Sequence, residues 1–112
     1  MIELNDDDVV VVLCTVPAEG GHAERLARGV VEAKLAACVN VLGPIRSIYE
    51  WKGSVAEESE LQLVVKTTAE RYPALEAHLR REHPYEVPEV LALPVARGAG
   101  AYLEWVRAGT RP

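Results

Sequence analysis

The stretch CVNVLGPIRSIYEWKGSVAEESELQLVVKT, residues 38–67, decides the fold. Its first half, Cys38–Trp51, is typical of a long strand, with a bulge or bend expected at Gly43-Pro44. Lys52-Gly53 indicates a turn, and residues 55–67 predict a second long strand. Together the two strands form a hairpin with arms of roughly a dozen residues, about twice the usual strand length.

An apolar segment and an amphipathic segment precede this hairpin. Residues 9–16, VVVVLCTV, are almost continuously apolar and β-branched, which indicates a strand that is central in a sheet or covered on both faces. Pro17 ends this strand. Residues 22–36 predict a helix, because apolar side chains recur on one helical face. Those side chains, with one that follows the segment, are Ala23, Leu26, Ala27, Val30, Ala33 and Ala37.

A helix, a strand and a short helix are predicted after the hairpin. The helix is expected to start at Thr68, a plausible N-cap, or nearer Tyr72, and to end at about Glu82. Residues 90–95 predict a fourth strand, and residues 101–107 predict a short C-terminal helix.

The predicted order of elements is β-α-β-β-α-β with an added helix. Its natural closure is an α+β, ferredoxin-like sandwich, in which two helices cover one face of a four-stranded antiparallel sheet. The length of 112 residues fits one domain, residues 1–112, whose acidic N-terminal segment, residues 1–8, is expected to be flexible. Two short helices are too small to cover the long hairpin, so we expect other subunits to cover it.

Composition and motifs exclude several classes of protein. The net charge is −5, Phe is absent and aromatic residues are 5%, so a nucleic-acid-binding protein is not expected. The longest apolar run is too short to span a bilayer, and the acidic N-terminus does not resemble a secretory signal. We therefore expect a cytoplasmic protein that binds neither nucleic acid nor membrane. Without a P-loop, G-x-G-x-x-G, H-E-x-x-H or G-x-S-x-G motif, no enzymatic activity is predicted.

Three side chains are candidate ligands for a metal ion. Cys14, near the end of the first strand, offers a soft thiolate, while Glu82 and His83 offer a carboxylate and an imidazole after the second helix. In the predicted fold this strand and this helix are near neighbours, so Cys14 and His83 can approach each other. The alternative interpretation is that Cys14 is a core thiol and that His83 interacts favourably with the helix dipole.

Other features have simpler interpretations. Cys38 has apolar neighbours and is expected to be a second core thiol. The acidic cluster Glu57-Glu58-Ser59-Glu60 is expected to be a solvated or edge-protecting run of charge. Trp51, at the tip of the hairpin, is large and apolar for a turn, which favours a place in a subunit interface.

Several motifs together resemble the CutA divalent-cation-tolerance family, over residues 9 to about 105. These motifs are Ala36-Ala37-Cys38-Val39-Asn40, Trp51-Lys52-Gly53, Glu60 and Leu61 before Lys66-Thr67-Thr68, and HPYEVPE at residues 83–89. The resemblance implies a ferredoxin-like homotrimer similar to the PII signalling proteins, in which long hairpins wrap neighbouring subunits. It also implies a cytoplasmic protein linked to tolerance of copper and other divalent metals.

The resemblance implies a metal site as well. Copper ligation in the family maps onto Cys14 and His83, with Glu82 at a position held by His in some members. The expected ligand is therefore Cu(II) or another divalent cation, although a carboxylate in place of an imidazole favours oxygen-preferring ions. The alternative function is a PII-like trimeric signalling or scaffold protein with an unknown small-molecule or protein ligand.

Overall fold

A computed structural model of the protein describes residues 2–112; Met1, the first residue of the acidic N-terminal segment, lies outside that range. The elements are β1 (Val9–Pro17), α1 (His22–Glu32), β2 (Cys38–Trp51), β3 (Ser54–Thr68), α2 (Tyr72–Glu82), β4 (Leu91–Pro94) and α3 (Gly100–Gly109). The strands form one antiparallel sheet in the order β2-β3-β1-β4. This is the predicted α+β order of elements.

Strand β1 is central in the sheet, as its apolar sequence predicts, because it pairs with β3 on one side and β4 on the other. Every second residue of β1 is buried on the face that α1 and α2 cover, since successive side chains of a strand point to opposite faces. The largest contributors to this core are Val10, Val12, Cys14, Val16, Leu63, Val65, Leu26, Val30, Leu75 and Leu79.

The β2–β3 hairpin projects beyond the rest of the sheet. Its strands pair as far as Trp51 and Ser54, whereas the pairing of β3 with β1 ends at Glu60. The predicted bulge is confirmed, because the register shifts between Leu42 and Ile45. The tip residues Lys52 and Gly53 have φ angles of 51° and 86°, as tight hairpin turns require.

Both edges of the sheet expose apolar side chains. Large hydrophobic residues are exposed along the hairpin at Val41, Leu42, Ile48, Tyr49, Trp51 and Val55. Strand β4, at the opposite edge, exposes Leu91 and Leu93. Exposed apolar edge strands are usually covered in natural proteins, because they otherwise aggregate.

Helix α1 is shorter than predicted and ends at Glu32 rather than residue 36. Lys34 adopts a left-handed φ of 58°, and the N–H groups of Leu35 and Ala36 both bond to the carbonyl of Val30. This arrangement satisfies a carbonyl that the end of the helix would leave without a partner. The apolar periodicity continues past this point because Leu35 and Ala36 are buried in the core without being helical.

Helix α2 begins at Tyr72, which was one of the two predicted starts. Thr68 is therefore not its N-cap; it is the last residue of β3, and its Oγ1 accepts a 3.4 Å hydrogen bond from the N–H of Arg71. Pro73 lies in the first turn, where its missing N–H costs no helical hydrogen bond.

Helix α3 contacts β1 and β3, and its Val106 is fully buried. It has 10 residues, and α1 and α2 have 11 each. Among residues 2–112, no helix has the length and apolar character that crossing a membrane requires.

The acidic N-terminal segment is hydrogen-bonded to the body of the domain where the structure describes it. The N–H of Ala69 donates to the carbonyl of Asp8 at 2.8 Å, and Arg107 Nε donates to the carbonyl of Asp7 at 2.8 Å. The flexibility of residues 1–8 stays a prediction, with these bonds defining where the chain is attached.

Candidate functional site

His83 connects the end of α2 to the end of β1. It is the C-cap of α2, and its own N–H bonds to the carbonyl of Leu79 at 2.9 Å. Its ring Nε2 lies 2.8 Å from the carbonyl oxygen of Thr15, and its Nδ1 accepts the N–H of Tyr85 at 3.0 Å. A carbonyl accepts and an amide N–H donates, so both bonds form when the neutral imidazole carries its proton on Nε2.

His83 is only 8% exposed, and this burial lowers the pKa of its imidazole. The hydrogen bond to Thr15 and the charge of Glu60 act in the opposite direction, and Arg25 and His22 lower the pKa further. The net lowering keeps the imidazole neutral at pH 7, which is the form that makes both observed hydrogen bonds.

Cys14 lies in the core of the sheet, opposite Leu63 of β3, and is fully buried. Burial raises the pKa of its thiol to about 12, and the nearby carboxylates of Glu89 and Glu60 contribute in the same direction. A thiol with this pKa is protonated at neutral pH and is a poor nucleophile and ligand. The position is that expected of a core thiol.

Glu82 is half-exposed and faces two arginines. Its carboxylate lies 4.0 Å from Arg25 of α1 and 3.6 Å from the neighbouring Arg81. Arg25 also donates a hydrogen bond to the backbone carbonyl of Glu82 at 3.2 Å. The carboxylate is therefore engaged with α1 at the surface and is directed to these positive charges.

The three predicted metal ligands do not form a ligand set in this chain. Both ring nitrogens of His83 are occupied, and the thiol of Cys14 is protonated and enclosed by apolar side chains. Residues 2–112 contain no group of three or more His, Cys, Asp or Glu side chains that could hold a metal ion. A divalent metal therefore does not fit these residues as they are arranged here, although the predicted proximity of β1 and α2 is confirmed by the bond from His83 to Thr15.

A cleft of about 480 Å³ lies beside His83, between the β2–β3 hairpin and the segment of residues 84–89. Pro84 ends helical geometry at His83 and turns this segment back toward the hairpin. The lining residues are Thr15, Ser47, Tyr49, Trp51, Glu60, Pro84, Tyr85, Glu86, Val87 and Glu89. Three aromatic side chains and three carboxylates thus face one cavity.

Glu60 is the buried charge of this cleft. It is only 4% exposed, and the hydroxyl of Tyr85 donates to its Oε2 at 2.7 Å. Burial and this bond raise the pKa of Tyr85 well above its ordinary value, so the phenol stays protonated and remains a donor. Within residues 2–112, no Lys, Arg or His forms an ion pair with Glu60.

Of the simpler sequence interpretations, that of the acidic cluster holds in part and that of Cys38 is wrong. The acidic cluster is solvated at Glu57 and Glu58, but Glu60 is buried because it lies opposite Pro17, where β1 ends beside β3. Cys38 is half-buried at the start of β2, with Lys66 Nζ 3.8 Å from its Sγ, and is not part of the core.

Sequence reasoning missed the roles of Glu60 and Tyr85. One signal was available, because the HPYEVPE motif places a tyrosine directly after a proline that must turn the chain. Nothing in the sequence indicates that this tyrosine meets Glu60, which lies 25 residues earlier.

Known proteins share this sequence and this fold. Residues 10–109 match the family model of the CutA1 divalent ion tolerance protein. The divalent-cation tolerance protein CutA of Thermus thermophilus is 49% identical over 100 residues, which cover 89% of this chain and 96% of that protein. The chloroplastic protein CutA of Arabidopsis thaliana is 46% identical over 103 residues, covering 91% of this chain and 56% of that protein.

A crystal structure of CutA from the bacterium Xylella fastidiosa superposes on this fold with a TM-score of 0.90. Its sequence is 36% identical, and the match covers 93% of this chain and 99% of that one. The similarity therefore spans nearly the whole sequence and the whole fold, including the long hairpin and the segment that closes the cleft. The chain belongs to the CutA1 divalent ion tolerance protein family.

Proposed function

We propose that the protein acts in divalent-cation tolerance as a homotrimer of ferredoxin-like subunits, arranged as in the PII proteins. The observation that supports this proposal is the β2–β3 hairpin, which projects beyond the rest of the sheet. Among residues 2–112, no third strand pairs with the outer part of this hairpin, which extends past Glu60. Strands of neighbouring subunits are the simplest cover, because they satisfy free backbone groups and bury apolar side chains together.

The exposed side chains of the hairpin support the same proposal. Ile48 is 65% exposed, Val55 is 75% exposed and Trp51 is 44% exposed. Burying an apolar side chain of this size contributes about 1.5 to 3 kcal/mol, so three copies of the hairpin offer substantial stabilisation to an assembly. A chain of 112 residues has a small core, and assembly adds to its stability.

Binding of Cu(II) or another divalent cation by Cys14, Glu82 and His83, the ligands that the sequence predicts, is the second part of the proposal, and it requires these side chains to leave the arrangement described above. A thiolate and an imidazole suit copper or zinc better than magnesium or calcium, and tolerance of divalent ions is the property for which the family is named. The arrangement in one subunit does not favour this site, because His83 is fully hydrogen-bonded and Cys14 is buried.

Native mass spectrometry with and without copper tests both parts together, since it reports the number of subunits and of bound metal ions. We expect a trimer, and a stable monomer at micromolar concentration would refute the assembly.

For the metal site, copper is titrated calorimetrically into the wild type and into a Cys14→Ser, His83→Ala double variant. If both bind with equal affinity and stoichiometry, the metal binds elsewhere. Binding at the proposed site weakens as the pH falls, because protons compete with the metal for the thiolate and the imidazole.

A PII-like signalling or scaffold trimer is the second candidate function, and the cleft beside Glu60 favours it. A cavity of about 480 Å³ with aromatic walls and a few polar groups has the size and composition of a small-molecule site. Neither candidate function includes an enzymatic reaction. The cytoplasmic location stays a prediction.

A further inference from the structure

We propose that Glu60 of one copy of the chain forms an ion pair with Lys66 of the next copy, across the face of the sheet that α1 and α2 leave open. This pairing rests on the proposed homotrimer and assigns it a specific contact. It gives the buried charge of Glu60 a partner that a single chain does not supply.

Glu60 and Lys66 lie on the same face of β3. Leu63 and Val65 point into the core beneath α1 and α2, so the residues that alternate with them point to the opposite face. We call this surface the open face; its β3 residues are Glu60, Gln62, Val64, Lys66 and Thr68, and α3 lies at its Thr68 end. At roughly 3.3 Å per residue, the two charges are about 20 Å apart along the strand, too far to pair within one chain.

Glu60 lacks a counter-charge in one chain. It is 4% exposed, and the hydroxyl of Tyr85 donates to its Oε2. No ion pair within residues 2–112 includes it, and Glu86 and Glu89 add negative charge to the same cleft. Burying a carboxylate without a cation is costly, so we expect a positive charge from another copy when assembly closes the cleft.

Lys66 lacks an acidic partner as well. It is half-buried, and its Nζ donates to the side-chain oxygen of Asn40 and lies 3.8 Å from Sγ of Cys38. In the part of the chain that the structure describes, none of the ion pairs includes Lys66. Because an ammonium group has three donors, a carboxylate of another copy can bind it without displacing Asn40.

Apolar side chains accompany the two charges on the open face. Leu91 and Leu93 of β4 are 54% and 47% exposed, and they pair with Leu13 and Val11 of β1, which are half-buried. The surface continues into the β2–β3 hairpin, because β3 belongs to both. Burying this apolar surface against another copy favours assembly, and opposite charges toward its two ends fix how the copies are aligned.

A single kind of contact compensates both charges. In a closed ring, each copy contributes Glu60 to one interface and Lys66 to the next, so every copy has both residues paired. A cation from elsewhere on the surface would leave Lys66 without an acidic partner. Lys34, which follows α1, and Arg80 of α2 also lie on the side of the sheet that these helices cover, away from the open face.

Sedimentation velocity across a dilution series in urea tests the pair. Glu60→Gln keeps the acceptor for Tyr85, and Glu60→Gln and Lys66→Gln should each raise the concentration at which the trimer dissociates at least about tenfold. Lys66→Arg retains the charge and should stay within about threefold of the wild type. Arg80→Gln and Glu57→Gln are the matched controls, because both residues are exposed and neither lies on the open face.

Mixing charge-reversal variants tests whether the pair joins different copies. Glu60→Lys and Lys66→Glu each place like charges at every interface of the ring, so each variant alone should be mainly monomeric. An equimolar mixture restores opposite charges where unlike copies meet, and native mass spectrometry should then detect trimers that contain both variants. A role of either residue within its own chain is not rescued by mixing.

The outcomes separate this pairing from the proposed trimer. If the wild type is monomeric, both are wrong; if it is a trimer and Glu60→Gln and Lys66→Gln dissociate as it does, only the ion pair is wrong. An effect of Glu60→Gln without one of Lys66→Gln assigns the counter-charge to another cation, such as Arg97, and overturns the pair. If circular dichroism shows that the Glu60 variants do not fold, Lys66 decides, since equal dissociation of Lys66→Gln and Lys66→Arg overturns the pair.

Discussion

Replacing His83 with alanine should destabilise the protein by about 2 to 4 kcal/mol. The change removes two buried hydrogen bonds, one of 2.8 Å to the carbonyl of Thr15 and one of 3.0 Å from the N–H of Tyr85. Each contributes roughly 0.5 to 1.5 kcal/mol, and a buried partner that is left unsatisfied adds to the loss. The ring of His83 also packs against that of Tyr85, with centroids 4.8 Å apart.

The same variant should change how stability depends on pH. Burial lowers the pKa of His83 below its ordinary value of 6.5, so the unfolded chain takes up this proton at a higher pH than the folded protein does. The free energy of unfolding of the wild type therefore falls as the pH decreases through 6.5 toward the folded pKa. His83→Ala lacks this contribution, so the difference in stability between the two proteins should shrink as the solution is acidified.

Urea unfolding followed by circular dichroism measures both effects, at one protein concentration because assembly contributes to stability. His78→Ala is the matched control, since His78 lies on the same helix and its ring interacts with Arg81 at the surface. We expect that control to cost less than about 0.5 kcal/mol. A loss below about 1 kcal/mol for His83→Ala, or a constant difference from pH 7 to pH 5, would refute the assigned role of His83.

Three further predictions follow from burial and backbone geometry. Iodoacetamide should modify Cys38 well before Cys14 in the native protein, because Cys14 is fully buried and its pKa is about 12; equal rates by mass spectrometry would contradict this. Trp51→Asp should shift the proposed trimer toward smaller species in sedimentation, and an unchanged assembly would place Trp51 outside the interface. Gly43→Ala should lower the free energy of unfolding in urea by at least about 1 kcal/mol, and an unchanged unfolding midpoint would contradict the backbone strain expected at this position. The reason is that Gly43 has a φ of 128° and a Cβ there would lie 3.0 Å from the backbone nitrogen of Ile45.

The sequence predicted the elements well because their signals are local. The apolar run of β1, the turn at Lys52-Gly53 and the bulge near Gly43-Pro44 each depend on a few neighbouring residues, and the structure contains all three. The end of α1 was placed too late, since Leu35 and Ala36 are buried by tertiary packing and continue an apolar pattern that is no longer helical.

The site depended on contacts between distant parts of the chain. That β1 and the end of α2 are neighbours follows from the order of the elements, and the bond between His83 and Thr15 agrees with it. The sequence could not show that this bond and the N–H of Tyr85 occupy both nitrogens of the imidazole, or that burial raises the pKa of Cys14 to about 12. Hydrogen-bond partners and desolvation are set by three-dimensional packing, which no spacing of residues records.

Residue types and spacing thus determined the order of strands and helices, the long hairpin and the family resemblance, because apolar periodicity and turn chemistry act within a few residues. Only the tertiary structure decided that Glu60, read as a surface charge, is buried against Tyr85 in a negatively charged aromatic cleft. The physical reason is that the burial of Glu60 depends on where β1 ends beside β3 and on how Pro84 turns the chain back to the hairpin.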